Sequence, residues 1–424
     1  MDVRDLATQL ENGAFDARLA EVYGPPIALP ALRARYTELI EEFAQNFPGI
    51  PATLFSSPGR TEMGGNHTDH QLGQVLAGSV SLDMIACGGV NDSRTIRIAQ
   101  AGYPDTAIDI DDLDIHPEEA GDSTALVRGV ARGLADRGYA LGGVSVAIAS
   151  GVPSGSGLSS SAAYEVLIGV ILNHFFCDDD VDAVELAQIG QFAENQFFGK
   201  PCGLLDQLAC SVGGVVYIDF GDPATPKVER IEIDMAGHVL CTINSGADHA
   251  DLTHEYASII DEMKVVAAYF GARYLSEVQP ARFWAELADV RAQAGDRAVL
   301  RAIHFFEDNA RVPLQAAALR EGRFADFLDC VTASGLSSAT QLQNLYVASD
   351  PQQQAVGVTI AVAKHLLGGA GAVRVHGGGF AGTVQAYVPE AQVAEFAAAM
   401  DTVLGAGSCH VLSIRPVGGA VIAG

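Results

Sequence analysis

The stretch Gly151–Ser161, GVPSGSGLSSS, contains the residue types that bind a phosphate group. Glycine lets backbone N–H groups approach an anion, and serine adds hydroxyl donors. Before it, Gly143–Ser150 alternates as a strand does, and after it Ala162–Phe176 has the apolar spacing of a helix. A glycine-rich turn between a strand and a helix N-terminus is typical of phosphate sites. No Gly-Lys-Ser/Thr ending follows, so this is not a Walker loop, and a flexible turn is the alternative interpretation.

Two further stretches of small residues, Pro58–Gly73 and His376–Gly382, lie on either side of this one in the chain. Residues 1–50 have helical periodicity, which Pro48 and Pro51 end. Helical patterns return at Thr253–Phe270 and Ala281–Phe306, and Thr383–Val388 alternates as a strand. A length of 424 residues favours two domains. We place the boundary within Gly213–Gly221, which predicts lobes of residues 1–215 and 216–424 that share one cleft.

The composition excludes several classes of partner. Asp and Glu number 52 against 25 Lys and Arg, for a formal charge of -27. This charge repels nucleic acid and anionic lipid, so neither is expected as a partner. The N-terminus is charged from its second residue, unlike a signal peptide, and the seven cysteines have no C-x-x-C spacing, which predicts free thiols. We expect a cytoplasmic protein.

Four segments together resemble one enzyme family, the GHMP kinases, which includes galactokinase, homoserine kinase, mevalonate kinase and phosphomevalonate kinase. Pro153–Ala163 is similar to the second motif of that family. The other three resemble galactokinase motifs: Pro58–Arg60 with Gly65–His70 (P-G-R…G-E-H-T-D-Y), Cys202–Gln207 (C-G-x-x-D-Q) and Val375–Gly382 (T-G-G-G-F-G-G). The order of the four motifs is that of the family, which makes the resemblance specific.

The resemblance implies an α+β GHMP kinase fold. Its N-terminal lobe would be ribosomal-protein-S5-domain-2-like and its C-terminal lobe ferredoxin-like, with the active site between them. The implied activity is that of an ATP-dependent sugar 1-kinase, which converts galactose and ATP to galactose 1-phosphate and ADP. The expected ligands are a small-molecule sugar and Mg-ATP.

The resemblance also assigns roles to individual residues. Asp206 corresponds to the catalytic aspartate, as a base or positioning residue, and Arg60 to its partner. Mg²⁺ is expected on Ser161, with Ser160 as second choice, and on Glu194, which follows an apolar helical stripe. ATP is expected at Gly155, Ser156, Gly157, Leu158, Ser159, Ser160 and Ser161.

The sugar pocket is assigned in the same way. Its expected residues are Asn66, His67, Asp69, Gly203 and Tyr256. Gly377–Gly379 is expected to shape the cleft, and Phe380 to lie in the core. His67, Asp69 and His70 could also be read as metal ligands, but no further cluster supports that reading.

Two positions depart from the galactokinase signature. Asn66 stands where the family has a glutamate that faces C6 of the sugar, and His70 replaces a tyrosine. An amide at position 66 would remove a charge that repels a C6 carboxylate. Galacturonate, or another C6- or C2-modified galactose, is therefore the alternative substrate. A non-catalytic sugar and ATP sensor is disfavoured because the serine-rich loop is intact. A mevalonate- or homoserine-type kinase is disfavoured by the sugar signature.

Overall fold

The computed structural model describes residues 1–153, 157–222, 224–247 and 252–424. These ranges contain twelve strands. They are β1 (Thr53–Gly64), β2 (Gln74–Val90), β3 (Thr95–Gln100), β4 (Thr106–Asp109), β5 (Val144–Ser150), β6 (Val215–Asp219), β7 (Lys227–Ile231), β8 (His238–Asn244), β9 (Ala372–Val375), β10 (Thr383–Pro389), β11 (Cys409–Leu412) and β12 (Ala420–Ala423).

The same ranges contain fourteen α-helices. They are α1 (Val3–Glu11), α2 (Asp16–Tyr23), α3 (Leu29–Asn46), α4 (Ser123–Ala135), α5 (Ser160–Phe176), α6 (Ala183–Phe192), α7 (Leu205–Val212), α8 (Thr253–Tyr269), α9 (Pro280–Ala285), α10 (Leu287–Ala294), α11 (Asp296–Arg320), α12 (Phe324–Ser337), α13 (Ala355–Leu367) and α14 (Val393–Leu404).

The larger sheet has the strand order β12-β1-β2-β5-β3-β4, and β6 pairs with β2 and with β7. Its pairs are antiparallel except for β3 with β5. Neighbouring residues of a strand point to opposite faces. Leu54 packs with the cluster of α1–α3, whereas Phe55 packs with the cluster of α4–α6. The sheet is therefore covered on both faces, and the predicted helical lead-in is confirmed as one of these layers.

The smaller sheet has the order β11-β8-β10-β9 and is antiparallel throughout. Its apolar side chains, among them Ile243 and Val384, pack with Val356 of α13 and Phe396 of α14. The strand predicted at Thr383–Val388 is confirmed as part of β10.

The helical predictions for the second half of the chain are confirmed in part. The prediction for Thr253–Phe270 is confirmed by α8, which ends one residue earlier, at Tyr269. Ala281–Phe306 is divided among α9, α10 and α11. The breaks fall at Glu286 and at Gly295, whose φ of 86° ends α10. Apolar periodicity persists across such a break, because each short helix still packs one face on the core.

The larger sheet draws strands from both halves of the chain. β6 begins at residue 215 and β7 at residue 227, and β12, near the C-terminus, returns to pair with β1. The buried ion pair of Arg415 with Asp83 reinforces this return. The division into lobes of residues 1–215 and 216–424 stays a prediction, and the sheets do not divide at that point.

The structure bears on the cysteines and on the question of membrane-spanning helices. All seven cysteines lie in the described residues, and each is a free thiol. Within residues 1–153, 157–222, 224–247 and 252–424, we find no helix that has both the length and the apolar character to cross a bilayer.

Candidate active site

A cavity of about 620 Å³ lies between β1, the N-termini of α7 and α8, and the loop before β10. We call it the central cavity. β1 contributes side chains from one face, and the loop after β1 contributes a histidine and an aspartate. The polar side chains that line it belong to Arg60, Glu62, His67, Asp69, His70, Lys200, Asp206 and Tyr256.

A bidentate ion pair joins Arg60 and Asp206 in this cavity. Arg60 Nε donates to Asp206 Oδ1 at 2.6 Å, and Arg60 Nη2 donates to Oδ2 at 2.8 Å. Ser159 Oγ donates a further hydrogen bond to Oδ2. Burial raises the pKa of Asp206, but the Arg60 guanidinium and these hydrogen bonds outweigh it and lower the pKa below its usual value. The carboxylate is therefore ionised, and 35% of its side chain is exposed.

The same arginine connects β1 to the predicted phosphate loop. The Arg60 backbone N–H donates to Leu158 O at 3.0 Å, and Arg60 Nη1 donates to Gly157 O. A Cβ at position 59 would lie 2.8 Å from Leu158 O, so glycine is needed for this approach. The Leu158 side chain is buried in the core, which leaves only its backbone to face a ligand. Gly155 and Ser156 lie outside the described residues.

Ser161 and Glu194, the expected magnesium ligands, are in contact. Ser161, in the first turn of α5, donates from Oγ to Glu194 Oε1 at 3.2 Å. Glu194 lies in a π-helical turn, Ala193–Phe198, that continues α6 and ends at Gly199, as its predicted helical position requires. Lys200 Nζ also lies 3.2 Å from Glu194 Oε1. A hydroxyl beside a carboxylate suits a hydrated Mg²⁺ ion.

Metal binding there would need oxygen atoms from elsewhere. Among the described residues there is no group of three or more His, Cys, Asp or Glu side chains that could hold an ion. This applies equally to His67, Asp69 and His70. Because Mg²⁺ usually takes one or two carboxylates together with substrate phosphates, the Ser161 and Glu194 pair still fits a Mg-ATP complex.

Glu165 is a neighbour of this pair that the sequence did not single out. Gln207 Nε2 donates to Glu165 Oε2 at 3.0 Å and to Glu194 Oε2 at 2.9 Å. Burial, followed by the nearby Glu194 charge, raises the pKa of Glu165 well above its usual value. Its position could have been predicted from the sequence, because Glu165 lies four residues after Ser161 and therefore on the same helix face.

Four of the five expected sugar residues line the central cavity: His67, Asp69, Gly203 and Tyr256. His67 Nε2 lies 3.0 Å from Gly378 O, and Tyr256 Oη donates to Gly379 O at 3.0 Å. Burial lowers the pKa of His67 to about 3, so the ring is neutral and donates from Nε2. Its Nδ1 has no hydrogen-bond partner in the described part of the chain.

The Gly203 backbone and the Asp69 carboxylate are packed directly against each other. A Cβ at position 203 would lie 2.3 Å from Asp69 Oδ2. Asp69 begins a short helix, Asp69–Gln71, at the cavity wall. The absence of a side chain at position 203 therefore sets where this carboxylate lies.

Asn66, the fifth expected sugar residue, does not line the cavity. Its Nδ2 donates to Glu62 Oε1 at 3.1 Å and to Gly377 O at 2.7 Å. Its Oδ1 accepts from Ser338 Oγ at 3.2 Å and from Asn344 Nδ2 at 2.9 Å. An amide side chain has two donors and two acceptor sites, so protein groups fill its capacity. A direct contact of Asn66 with the sugar stays a prediction, and these bonds argue against it.

Glu62, which the sequence analysis missed, lines the cavity instead. It lies two residues after Arg60 on β1 and forms an ion pair with Arg374, a fully buried residue of β9. Burial raises the pKa of Glu62 above its usual value, although the charges of Arg374 and Arg60 act in the opposite direction. Its place beside Arg60 could have been predicted from the sequence, because residues two apart on a strand share a face.

The glycine-rich stretch His376–Gly382 also reaches the cavity. Gly377 and Gly378 line it, and Gly379 O accepts the Tyr256 hydrogen bond. Phe380 is 5% exposed and belongs to the apolar cluster around α8 and α11. Its predicted place in the core is confirmed.

Two family models match the chain. The model of the GHMP kinases N terminal domain matches residues 125–214, which include the predicted phosphate loop, Glu194 and Asp206. The model of the galactokinase galactose-binding signature matches residues 41–90, which include Arg60, Glu62 and Asp69.

Solved structures share the fold. Lactococcus lactis galactokinase, solved in complex with galactose, is 25% identical, with a TM-score of 0.78 over 91% of this chain and 99% of its own. Methanococcus jannaschii mevalonate kinase is 12% identical, with a TM-score of 0.62 over 87% of this chain and 100% of its own. A heptose 1-phosphate kinase from Bacteroides thetaiotaomicron is 14% identical, with a TM-score of 0.59 over 88% and 98% of the two chains.

The similarities to the mevalonate kinase and to the heptose 1-phosphate kinase show the fold alone. To that fold, the two family models add the N-terminal domain of the GHMP kinases and the galactose-binding signature of galactokinases. The chain is therefore a sugar kinase that carries a GHMP kinase N-terminal domain and a galactokinase galactose-binding signature.

Proposed function

We propose that the chain transfers the γ-phosphoryl group of ATP to the anomeric hydroxyl of galactose, giving galactose 1-phosphate and ADP. The observation that carries the proposal is the Arg60–Asp206 pair, which lies in the central cavity between the phosphate loop and the signature residues His67 and Asp69. An ionised carboxylate and a guanidinium are the groups that phosphoryl transfer to a hydroxyl uses.

In the proposed reaction, the C1 oxygen forms a bond to the γ-phosphorus while the bond to the β–γ bridging oxygen breaks. ADP leaves with that oxygen, and the proton of the C1 hydroxyl group passes to Asp206 and then to solvent. Because the pKa of Asp206 is lowered, this carboxylate is a weak base. Its first role is to accept a hydrogen bond from the hydroxyl and so orient it, with proton transfer late in the step. Arg60 offsets charge on the phosphoryl oxygens.

The nucleotide is proposed to lie along Gly157–Ser161, where α5 begins. The N–H groups of a helix N-terminus attract phosphate, which matters in a chain of formal charge -27. Ser161 and Glu194 would hold Mg²⁺, with Gln207 and Lys200 fixing the Glu194 carboxylate. The ion would neutralise phosphate charge during transfer.

The test is a coupled ADP-release assay with Mg-ATP. The acceptors are galactose, galacturonate, N-acetylgalactosamine, glucose and mevalonate. Asp206→Asn is compared with Asp289→Asn, which changes an exposed aspartate of α10. We expect galactose turnover that falls about 10²- to 10⁴-fold in Asp206→Asn and is unchanged in Asp289→Asn.

Three outcomes would change the proposal. Turnover of galacturonate with no turnover of galactose would assign the enzyme to a modified galactose. Binding of galactose and ATP by calorimetry, without turnover of any acceptor, would identify a sensor. Normal turnover in Asp206→Asn would remove Asp206 from the reaction.

A further inference from the structure

A buried carboxylate forms part of the cavity wall beside the reacting groups. Arg60 and Glu62 pair regularly with Ser79 and Ala77 of β2, so no bulge separates them. Their side chains therefore share one face of β1, about 7 Å apart along the strand. That spacing is roughly the span of one sugar ring. If the reacting hydroxyl lies at Arg60 and Asp206, Glu62 faces the opposite end of the sugar.

The Glu62 carboxylate is fixed in this position. Oε1 accepts from the Arg374 guanidinium and from Asn66 Nδ2, the latter at 3.1 Å. Its backbone N–H donates to His376 Nε2 at 3.2 Å, and Gln385 Nε2 donates to its carbonyl at 2.9 Å. Within the described part of the chain, both hydrogen bonds to the Glu62 side chain end on Oε1, and 9% of the side chain is exposed at the cavity. A rigid carboxylate of this kind accepts a hydrogen bond from a neutral ligand at little entropic cost.

The surrounding charge defines which ligand fits. Glu62, Asp69 and Asp206 are three carboxylates in one cavity wall. The nearest cation to Glu62, Arg374, is fully buried behind it and already paired. A hydroxyl of the sugar can donate to Glu62, whereas a carboxylate there would face like charge. Among the described residues, the cations that line the cavity, Arg60 and Lys200, are already paired with Asp206 and Glu194.

We propose that Glu62 is a specificity-determining residue that accepts a hydrogen bond from the exocyclic hydroxyl of a neutral hexose and excludes a sugar with a carboxylate at that carbon. This inference rests on the proposed sugar kinase function. Asn66 led us to expect that the cavity lacks the negative charge that repels a C6 carboxylate. The inference reverses that expectation, because Glu62 brings a carboxylate to the cavity in place of the glutamate absent at position 66.

The experiment measures kcat and KM for galactose, 6-deoxygalactose and galacturonate in the wild type, Glu62→Gln and Glu395→Gln. Glu395 is an exposed glutamate of α14 and serves as the matched charge control. We expect the wild type to favour galactose over both analogues. In Glu62→Gln, KM for galactose should rise about tenfold to hundredfold with kcat within about threefold. Its preference for galactose over galacturonate should fall by at least about tenfold.

A second variant covers the case in which Glu62→Gln does not fold, since it leaves Arg374 buried without a counter-charge. The double variant Glu62→Gln with Arg374→Met removes both charges, and its preference for galactose over galacturonate should fall in the same way. A purely structural role for Glu62 would lower the activity on all three sugars equally and leave the ratios unchanged, which would overturn the inference. Galactose turnover with unchanged ratios would leave the kinase function intact. Failure of the wild type to phosphorylate any of the sugars would instead contradict the proposed function.

Discussion

Replacement of Gly203 by alanine should impair sugar binding while leaving the fold intact. The new Cβ would lie 2.3 Å from Asp69 Oδ2, and ordinary contact begins at 3.4 Å, so that oxygen must move by about 1.1 Å. Gly203 does not have a left-handed φ, so alanine adds no backbone strain there. Only the end of a side chain shifts, and we expect the free energy of unfolding to change by less than about 1 kcal/mol.

The consequence for catalysis follows from the expected place of Asp69 in the sugar pocket, where its carboxylate would accept a hydrogen bond from a sugar hydroxyl. A hydrogen bond to a charged group contributes about 1.5–3 kcal/mol, which corresponds to roughly a 10- to 150-fold change in affinity. We therefore expect the KM for galactose to rise by about that factor in Gly203→Ala. The KM for ATP should stay within about twofold, because the phosphate loop is not displaced.

The assay is steady-state kinetics with each substrate varied in turn, together with thermal unfolding. Gly357→Ala is the matched control, because its Cβ would meet atoms no closer than 3.8 Å and it lies within α13. It should preserve both KM values and stabilise the helix slightly. If Gly203→Ala keeps a KM for galactose within about threefold of the wild type, Asp69 is not held against the sugar as proposed.

Three further predictions test other parts of the structure. Arg60→Met removes the charge that lowers the pKa of Asp206, so the acidic limb of the pH profile of kcat/KM should move to higher pH; an unmoved limb would contradict this. Glu194→Gln should raise the Mg²⁺ concentration for half-maximal activity roughly tenfold or more, measured by metal titration at fixed ATP. Asp83→Asn leaves Arg415 buried without its counter-charge and should cost about 3–5 kcal/mol in denaturant unfolding. Burial raises the pKa of Asp83, but two arginines lower it overall. The stability that Asp83 gives the wild-type fold is therefore present above the unfolded pKa of 3.8, and it is lost as the pH falls through the lower folded pKa.

Local sequence predicted much of the framework. The strand before the phosphate loop and the helix after it are present as β5 and α5. Both are visible from the sequence because residues within one element decide them, through periodicity and glycine placement. The division of the predicted helix at Ala281–Phe306 was missed, because a capped break preserves the apolar pattern on either side.

The role assigned to position 66 shows where local reasoning fails. The sequence shows an asparagine in place of a glutamate, and the inferred loss of charge from the cavity followed from that position alone. In the structure, partners far along the chain, Gly377 and Asn344, saturate the Asn66 amide, and Glu62 brings a carboxylate to the cavity. Hydrogen-bond capacity is filled by whichever groups the fold brings close, so a motif cannot reveal it.

The sequence by itself determined the resemblance to the GHMP kinases, the acidic net charge and the residues around which a phosphoryl-transfer site could form. Those features depend on residue type and short spacing, which the chain displays directly. Only the tertiary structure decided that β12 closes the edge of the larger sheet beside β1, and that Arg374 of the smaller sheet holds Glu62 of the larger one. These contacts join residues more than 300 positions apart, and their geometry follows from packing the two sheets together rather than from any local pattern.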